Sequence, residues 1–207
     1  MKVLIVSGSP AYRKMWEKLG ATITDNIQEA ELIQFTGGED VSPFLYGETK
    51  HRTTGSNAGR DIYEAGIFAI ASRIEIPMAG ICRGGQFLNV MSGGRMYQDV
   101  DGHTIYGTHA CTDVTTGEIH QVTSTHHQMM VPSSRGVLLA EAAQASRLET
   151  DSRVYNLLAK GGDTEAVFYP HTNCLCFQPH PEFNNADSTL KYYVELLNRC
   201  FDLRLEG

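Results

Sequence analysis

The sequence predicts an α/β fold: a doubly wound, mostly parallel central sheet flanked by helices, with an added antiparallel β section in the second half. Three observations carry this expectation. Short apolar runs ending in glycine alternate with helical patterns over the first 94 residues, the order produced by strand–crossover–strand units. One cysteine stands between glycines where such a run gives way to a helix. After Gly94 the texture changes, and short strand-like runs follow one another between turns.

The elements can be taken in order. "KVLIVSG" is β-branched and apolar up to Gly8, the signature of a buried strand. Pro10–Leu19 reads as a short helix. "ELIQFTGGED" is a second apolar run and closes on Gly37 and Gly38. From Val41 to Arg60 the pattern dissolves into Pro, Gly, Thr and Ser, which suggests a long loop. "RDIYEAGIFAIASR" (60–73) places apolar residues at 62, 66, 67, 69 and 70, one helical face. "IPMAGIC" is another buried-strand run, and Gly84–Met91 resumes helical character. Beyond Gly94, "RMYQDV", "IHQVTST", "GVLLAEAA", "EAVFYP" and "CLCFQP" read as strands folded against the first half. A periodic stretch from Ala186 to Leu203 predicts a helix that Asp187 or Ser188 could cap. No repeat, linker or low-complexity segment interrupts residues 1–207, so one domain is expected.

Composition narrows the function. Hydrophobic residues make up 42% and charged residues 20% of the 207, enough apolar surface for a sizeable core. A formal net charge of −7 argues against nucleic acid or an anionic membrane as the main partner. The five cysteines are odd in number, form no CxxC pair and follow no secretory h-region, which points to a reducing, cytoplasmic setting without a disulfide framework. Cys174 and Cys176, two apart in a strand run, should face the same side as small core residues rather than bind a metal. No run approaches the length of a membrane span.

"GICRGG" has the form of a nucleophile elbow, G-x-C-x-G at the end of a strand and the start of a helix. Glycines on either side let strand and helix pack around a sharp turn. The thiol of Cys82 would stand at the carboxyl edge of the sheet, where a helix N-terminus favours a thiolate. Taken alone, the pattern fits a buried structural cysteine equally well. A thiol nucleophile also wants a base held by a third group. "FQPHPEF" supplies His180 and Glu182, alternating along an extended segment stiffened by Pro179 and Pro181. Elbow and His-Pro-Glu together are much less expected by chance than either alone. Oxyanion donors would come from the N–H of Arg83, the residue after the thiol, and from the glycine pair of "FTGGED".

With these motifs in view, the sequence resembles the class I glutamine amidotransferase family, and within it the gamma-glutamyl hydrolase-like peptidase branch. The carrying segments are "GGEDVSPFLYGE" (37–48), "RDIYE" (60–64), "GICRGGQFLNVMSGG" (80–94), "STHHQ" (124–128) and "QPHPE" (178–182), in family order. Pro179 stands where the family usually has an aromatic or aliphatic residue. The resemblance implies a flavodoxin-like sheet and a Cys82–His180–Glu182 triad. It also implies an oxyanion pocket around Gly38 and Arg83, and a γ-glutamyl pocket near Gly37, Gln86, His126, His127 and Gln128. Members attack the γ-carbonyl of glutamine or of a γ-glutamyl compound and form a glutamyl thioester. They release ammonia or an amine, and water then hydrolyses the thioester.

Other polar residues carry blander expectations. His126 and His127, adjacent in a strand, should point to opposite faces, so one ion would not take both. His103, His109 and His120 are expected at the surface, since "DGH" and "GTH" look like turns. Arg60, Asp61 and Glu64 suit a helix start and resemble a family pattern that supports the active-site loops. "VSGSP" is not a dinucleotide fingerprint, and neither cofactor nor metal is expected. Three functions remain open, with oligomeric state undetermined. The first is a glutaminase that passes ammonia to a separate synthase or ligase. The second is a free-standing γ-glutamyl hydrolase acting on a γ-glutamyl amine or peptide. The third is a non-catalytic binding module.

Overall fold

The computed structural model of the chain describes residues 1–142 and 162–206. The last residue of the "GVLLAEAA" run, Ala143, and part of the single domain expected over 1–207 lie outside them. β1 (Lys2–Val6), β2 (Thr22–Ile23), β3 (Leu32–Phe35) and β4 (Met78–Ile81) form the first half of the sheet. Between them run α1 (Pro10–Lys18) and α2 (Ala58–Arg73), and α3 (Arg83–Met91) follows β4. The second half holds β5 (Arg95–Tyr97), β6 (Thr104–Asp113), β7 (Ile119–Thr125), β8 (Met129–Val131), β9 (Val137–Ala142), β10 (Asp163–Tyr169) and β11 (Cys174–Phe177). It closes with α4 (Asp187–Phe201).

Nine strands make one sheet in the order β2-β1-β3-β4-β11-β10-β9-β6-β7, and β5 pairs with β8 in a separate ribbon. From β2 to β11 neighbours are parallel; from β11 to β7 every pairing is antiparallel. The second half thus extends the same sheet edge to edge instead of folding over the first. Strand alternation sorts side chains to two cores. Val3, Ala79, Ile81, Leu175 and Phe177 pack under α1 and α4 with Trp16, Tyr193 and Leu196. Leu4, Ile33, Met78, Cys174 and Cys176 pack under α2 and α3 with Phe68, Phe87 and Leu88. Helices therefore cover both faces, as a buried parallel sheet requires. No helix among the described residues is long and apolar enough to cross a membrane.

Two expectations are corrected. "GTH" is no turn: it lies inside β6, a ten-residue strand, and the register breaks between Thr104 and Thr108 around Gly107 at φ 121°. That irregularity removes the clean alternation by which a strand is read. The N-cap of α4 is Ala186, which offers no side-chain cap; Asp187 is the first helical residue and pairs with Lys18 at 3.3 Å.

Candidate active site

Because β11 lies parallel to and beside β4, the carboxyl ends of both strands open on the same edge. Register pairs Ile81 with Phe177, so the residues that follow, 82 and 178 to 182, meet there. Cys82 is the hinge between β4 and α3, at φ 50° and ψ −115°. A non-glycine residue in that region stores on the order of 1–3 kcal/mol of strain, which the surrounding packing must hold. Its N–H donates to Phe177 O at 2.8 Å, and its carbonyl accepts from Gln86 N at 2.9 Å. Close approach explains the glycines. A β-carbon at Gly80 would collide with the backbone of Gly84, and one at Gly84 with the backbone of Phe35.

His180 is held from both sides of its backbone. Its N–H donates to Thr123 Oγ1 at 2.8 Å, and the same hydroxyl donates to its carbonyl at 3.2 Å. The ring stacks on Phe183 at 4.3 Å between centroids and places Nδ1 2.7 Å from Glu182 Oε1. Pro181 and Glu182 sit in a turn, so the segment bends where an extended strand was expected. Burial pulls the imidazole pKa down, but the neighbouring Cys82 sulfur and then Glu182 reverse this and raise it to about 10. Burial pushes the thiols of Cys174 and Cys200 up to about 12 and raises those of Cys111 and Cys176 as well, which disfavours their thiolates.

The glycine pair lies above the thiol. Gly37 donates its N–H to Tyr12 Oη at 2.8 Å, so that amide is already committed. Tyr12 also lies beside Glu182, and burial followed by that carboxylate drives its phenol pKa far upward. Sequence reasoning missed Tyr12; nothing marks it except its place on the buried face of a short helix after β1. Gly38 adopts φ 142°, and a β-carbon there would strike the Arg60 guanidinium. Arg83 opens α3, so its N–H has no partner within the helix.

The Arg83 side chain points away from that edge. It is buried against Asp61 and Glu64 and lies 5.0 Å from the centre of the Phe87 ring. Arg60 bridges Glu64 Oε1 at 2.8 Å, Gly37 O at 3.0 Å and Thr36 O at 2.8 Å. The "RDIYE" segment therefore does tie α2 to the glycine pair and the elbow, through a buried ionic network. Asn57, not these residues, caps α2.

The expected γ-glutamyl pocket is only partly assembled from the residues named for it. Gln86 Nε2 reaches Gln128 O at 3.3 Å and Gln178 Oε1 at 3.1 Å. Gln128 Nε2 bonds Thr54 Oγ1 at 3.2 Å. His126 and His127 lie in the link between β7 and β8, not on a strand, yet they do diverge. His127 faces Asp40 at 3.2 Å and Asp99 at 3.4 Å, and the Asp40 hydrogen bond leads in raising its pKa. His126 is buried on the other side, toward Glu165. The expectation of surface histidines fails for His103, whereas His109 and His120 are partly exposed. His103 is buried beside Asp163, His109 lies 3.4 Å from Glu165, and His120 stacks on Tyr192 at 3.8 Å. A buried Glu165 within the apolar run "EAVFYP" was the signal, since a charge inside a core strand needs partners.

Comparison with known proteins fits this arrangement. The sequence model of the family described as Peptidase C26 matches residues 15–182. A Mycobacterium tuberculosis protein named as a candidate glutamine amidotransferase is 33% identical over 170 residues, 79% of this chain and 54% of its own. A Lactococcus lactis subsp. cremoris protein named as glutamine amidotransferase-like is 39% identical over 98 residues, 42% of this chain and 52% of its own. The chain thus spans about half the length of these curated relatives. The carbamoyl phosphate synthase small chain of Polynucleobacter asymbioticus is 27% identical over 146 residues, 68% of this chain and 31% of its own. Among solved structures, a glutamine amidotransferase from Thermotoga maritima superposes with a TM-score of 0.63 at 15% identity, covering 98% of this chain and 84% of its own. PurLQS from the same organism gives 0.65 at 18% identity, covering 96% and 98%. At these identities the likeness of the solved structures shows the fold alone.

Proposed function

The chain belongs to the peptidase C26 family, which is class I glutamine amidotransferase-like, and from that premise we propose a cysteine hydrolase that cleaves the γ-amide of glutamine. We assign Cys82 as nucleophile, His180 as general acid and base, and Glu182 as the group that orients and charges the imidazole. The observation that carries this is the single edge where a strained Cys82, His180 and a Glu182 carboxylate 2.7 Å from the imidazole converge. In the proposed reaction the Cys82 sulfur attacks the γ-carbonyl, and the oxyanion accepts from the N–H groups of Gly38 and Arg83. His180 gives its proton to the departing nitrogen and ammonia leaves. His180 then takes a proton from water, whose oxygen attacks the thioester to yield glutamate and restore the thiol.

The commitment of the Gly37 amide to Tyr12 favours Gly38 as the second donor. We keep Gly37, Gln86, His127 and Gln128 as the residues proposed to bind the γ-glutamyl group, on the strength of the family resemblance. Ammonia would go to a separate synthase or ligase. The relative that is a carbamoyl phosphate synthase small chain supports a role as one part of such an assembly. A free-standing γ-glutamyl hydrolase is the second reading, and the peptidase description of the family favours it. One domain over 1–207 and a cytoplasmic setting remain part of the proposal.

The purified chain should be assayed for release of ammonia from glutamine and of amine from γ-glutamyl amines. Glutaminase activity that rises when a candidate synthase is added supports the first reading. Turnover of γ-glutamyl amines alone, with glutamine untouched, replaces it by the second. No turnover of either, with no adduct formed at Cys82 by a glutamine-like electrophile, removes both.

A further inference from the structure

In the antiparallel half, three side chains converge, and a fourth stands beside one of them. Glu165 of β10 is fully buried, and neither of its carboxylate oxygens has a hydrogen-bond partner among the described residues. Its Oε1 lies 3.4 Å from His103 Nδ1, 3.4 Å from His109 Nε2 and 3.9 Å from His126 Nε2. Nε2 of His109 and of His126 likewise lack partners. Ligating atoms of His103, His126 and Glu165 all fall within 4.8 Å of one another.

Hydrogen-bond logic fixes what these nitrogens present. His126 Nδ1 lies 2.7 Å from the carbonyl of Gln128, which can only accept, so Nδ1 carries the proton and Nε2 is a bare lone pair. His103 Nε2 lies 2.8 Å from Asp163 Oδ2 and donates to that carboxylate, which leaves Nδ1 bare as well. The Ser124 hydroxyl nearest that Nδ1 spends its one hydrogen on the His103 carbonyl at 2.6 Å. The bare Nε2 of His126, and Nδ1 of a neutral His103, thus face the Glu165 carboxylate, an arrangement that is costly in a dry interior without a proton or an ion between them. Each of these two imidazoles is also anchored through its far nitrogen to a carbonyl or carboxylate, the outer contact that orients histidine toward a metal.

We propose that His103, His126 and Glu165 hold a divalent transition-metal ion, with zinc the best match and His109 standing beside Glu165. A tetrahedral zinc ion about 2.0–2.1 Å from nitrogen and oxygen ligands places those ligands roughly 3.3–3.4 Å apart. The two shorter separations at Glu165 already have that value, and His126 needs to close by about half an ångström. Imidazole and carboxylate suit zinc, and three protein ligands leave a fourth position for a water or, after a shift, for His109. The ion would fasten β6, β10 and the β7–β8 link to one another. β10 in turn accepts the Gln178 N–H at Glu165 O, 2.8 Å away, two residues before His180. His127, facing Asp40 and Asp99, takes no part.

The test uses the whole chain with Cys82→Ser, which removes the thiol that zinc would otherwise seek at the proposed triad. After treatment with a chelator, Zn²⁺ is titrated in competition with a chromophoric chelator, and Co²⁺ is followed by its visible bands. One equivalent should bind, with the Co²⁺ spectrum of a tetrahedral site. Glu165→Gln and His126→Gln should each weaken Zn²⁺ at least 10-fold, and Asp163→Asn about 10- to 100-fold through the orientation of His103. Absence of binding, or affinity unmoved by these changes, overturns the site in favour of a protonated Glu165 hydrogen-bonded to one imidazole. Should the variants fail to fold, X-ray absorption of zinc-loaded Cys82→Ser decides. A shell of imidazole nitrogen and oxygen upholds the site; a shell containing sulfur, or no retained zinc, overturns it.

Discussion

The parallel and antiparallel halves of the sheet bury opposite kinds of residue. In the parallel half the strand interiors are apolar apart from a fully hydrogen-bonded Gln34 in β3, and the candidate site residues lie at the carboxyl edge, where Cys82 and His180 follow β4 and β11. In the antiparallel half the chemistry lies inside: His103, His126, Asp163 and Glu165 are buried between strands. A parallel interior covered by helices on both faces has little room for polar groups that water cannot reach, so function gathers at strand ends. In the antiparallel half buried polar groups lie among the strands and must satisfy one another or hold an ion. Lesions at the edge should therefore remove turnover and spare the fold, whereas lesions of buried charge should do the reverse.

The sharpest form of that contrast is Cys82→Ala. Loss of the nucleophile should lower kcat by about 10⁴-fold or more, while the circular dichroism spectrum and unfolding midpoint stay near wild type. A variant that turns over at the wild-type rate removes Cys82 from the role. Next comes Arg83→Met, which strands Asp61 as a buried carboxylate without its cation and leaves Glu64 to Arg60 alone. It should cost about 3–5 kcal/mol in urea unfolding. Replacing Arg83, Asp61 and Glu64 at once by Met, Asn and Gln should cost less, because no buried carboxylate is left behind. Equal losses in the single and triple variants would show that the network stabilises by packing alone.

Glu182→Gln tests the edge more finely. Orientation and charge of His180 should suffer while binding persists, lowering kcat by about 10- to 10⁴-fold with KM little changed. His180→Ala should cost at least as much, and the double variant far less than the product of the two. Multiplicative losses would leave a Cys–His pair with Glu182 in a structural role. The smallest effect is in pH dependence. The folded-state pKa of His180 is raised from 6.5 to about 10, so its charged form is favoured by folding. That contribution to stability is fully present below about pH 6.5 and lost as pH rises toward 10. Between those values the unfolding midpoint of wild type should fall more than that of His180→Gln; parallel curves would place the charge elsewhere.

Legibility followed the same division. Runs such as "KVLIV" and "MAGI" declare themselves because a strand buried on both faces must be continuously apolar. Cys82, His180 and Glu182 were legible because each sits in a short motif whose backbone demands glycine or proline. Tyr12 was not, since a tyrosine on the inner face of α1 looks like core. The histidine cluster was not legible either. Residues 103, 109, 126 and 165 are brought together only by antiparallel register, and the irregularity at Gly107 hid β6, the strand that carries one of them. The two-residue β2 and three-residue β8 are too short to show a period at all.

The position of β11 has one more consequence. It is the last of the described strands in the chain, yet it occupies the middle of the sheet, between β4 and β10. During synthesis both halves of the sheet are made before the strand that joins them, and each waits with an open edge. Closure pairs residue 81 with residue 177, a separation that makes this a slow, late event in folding. His180 and Glu182 arrive on that same strand's end. A ribosome-bound chain that has made Cys82 but not β11 therefore holds its thiol without His180 and Glu182 beside it, and the proposed site is incomplete until the sheet is whole.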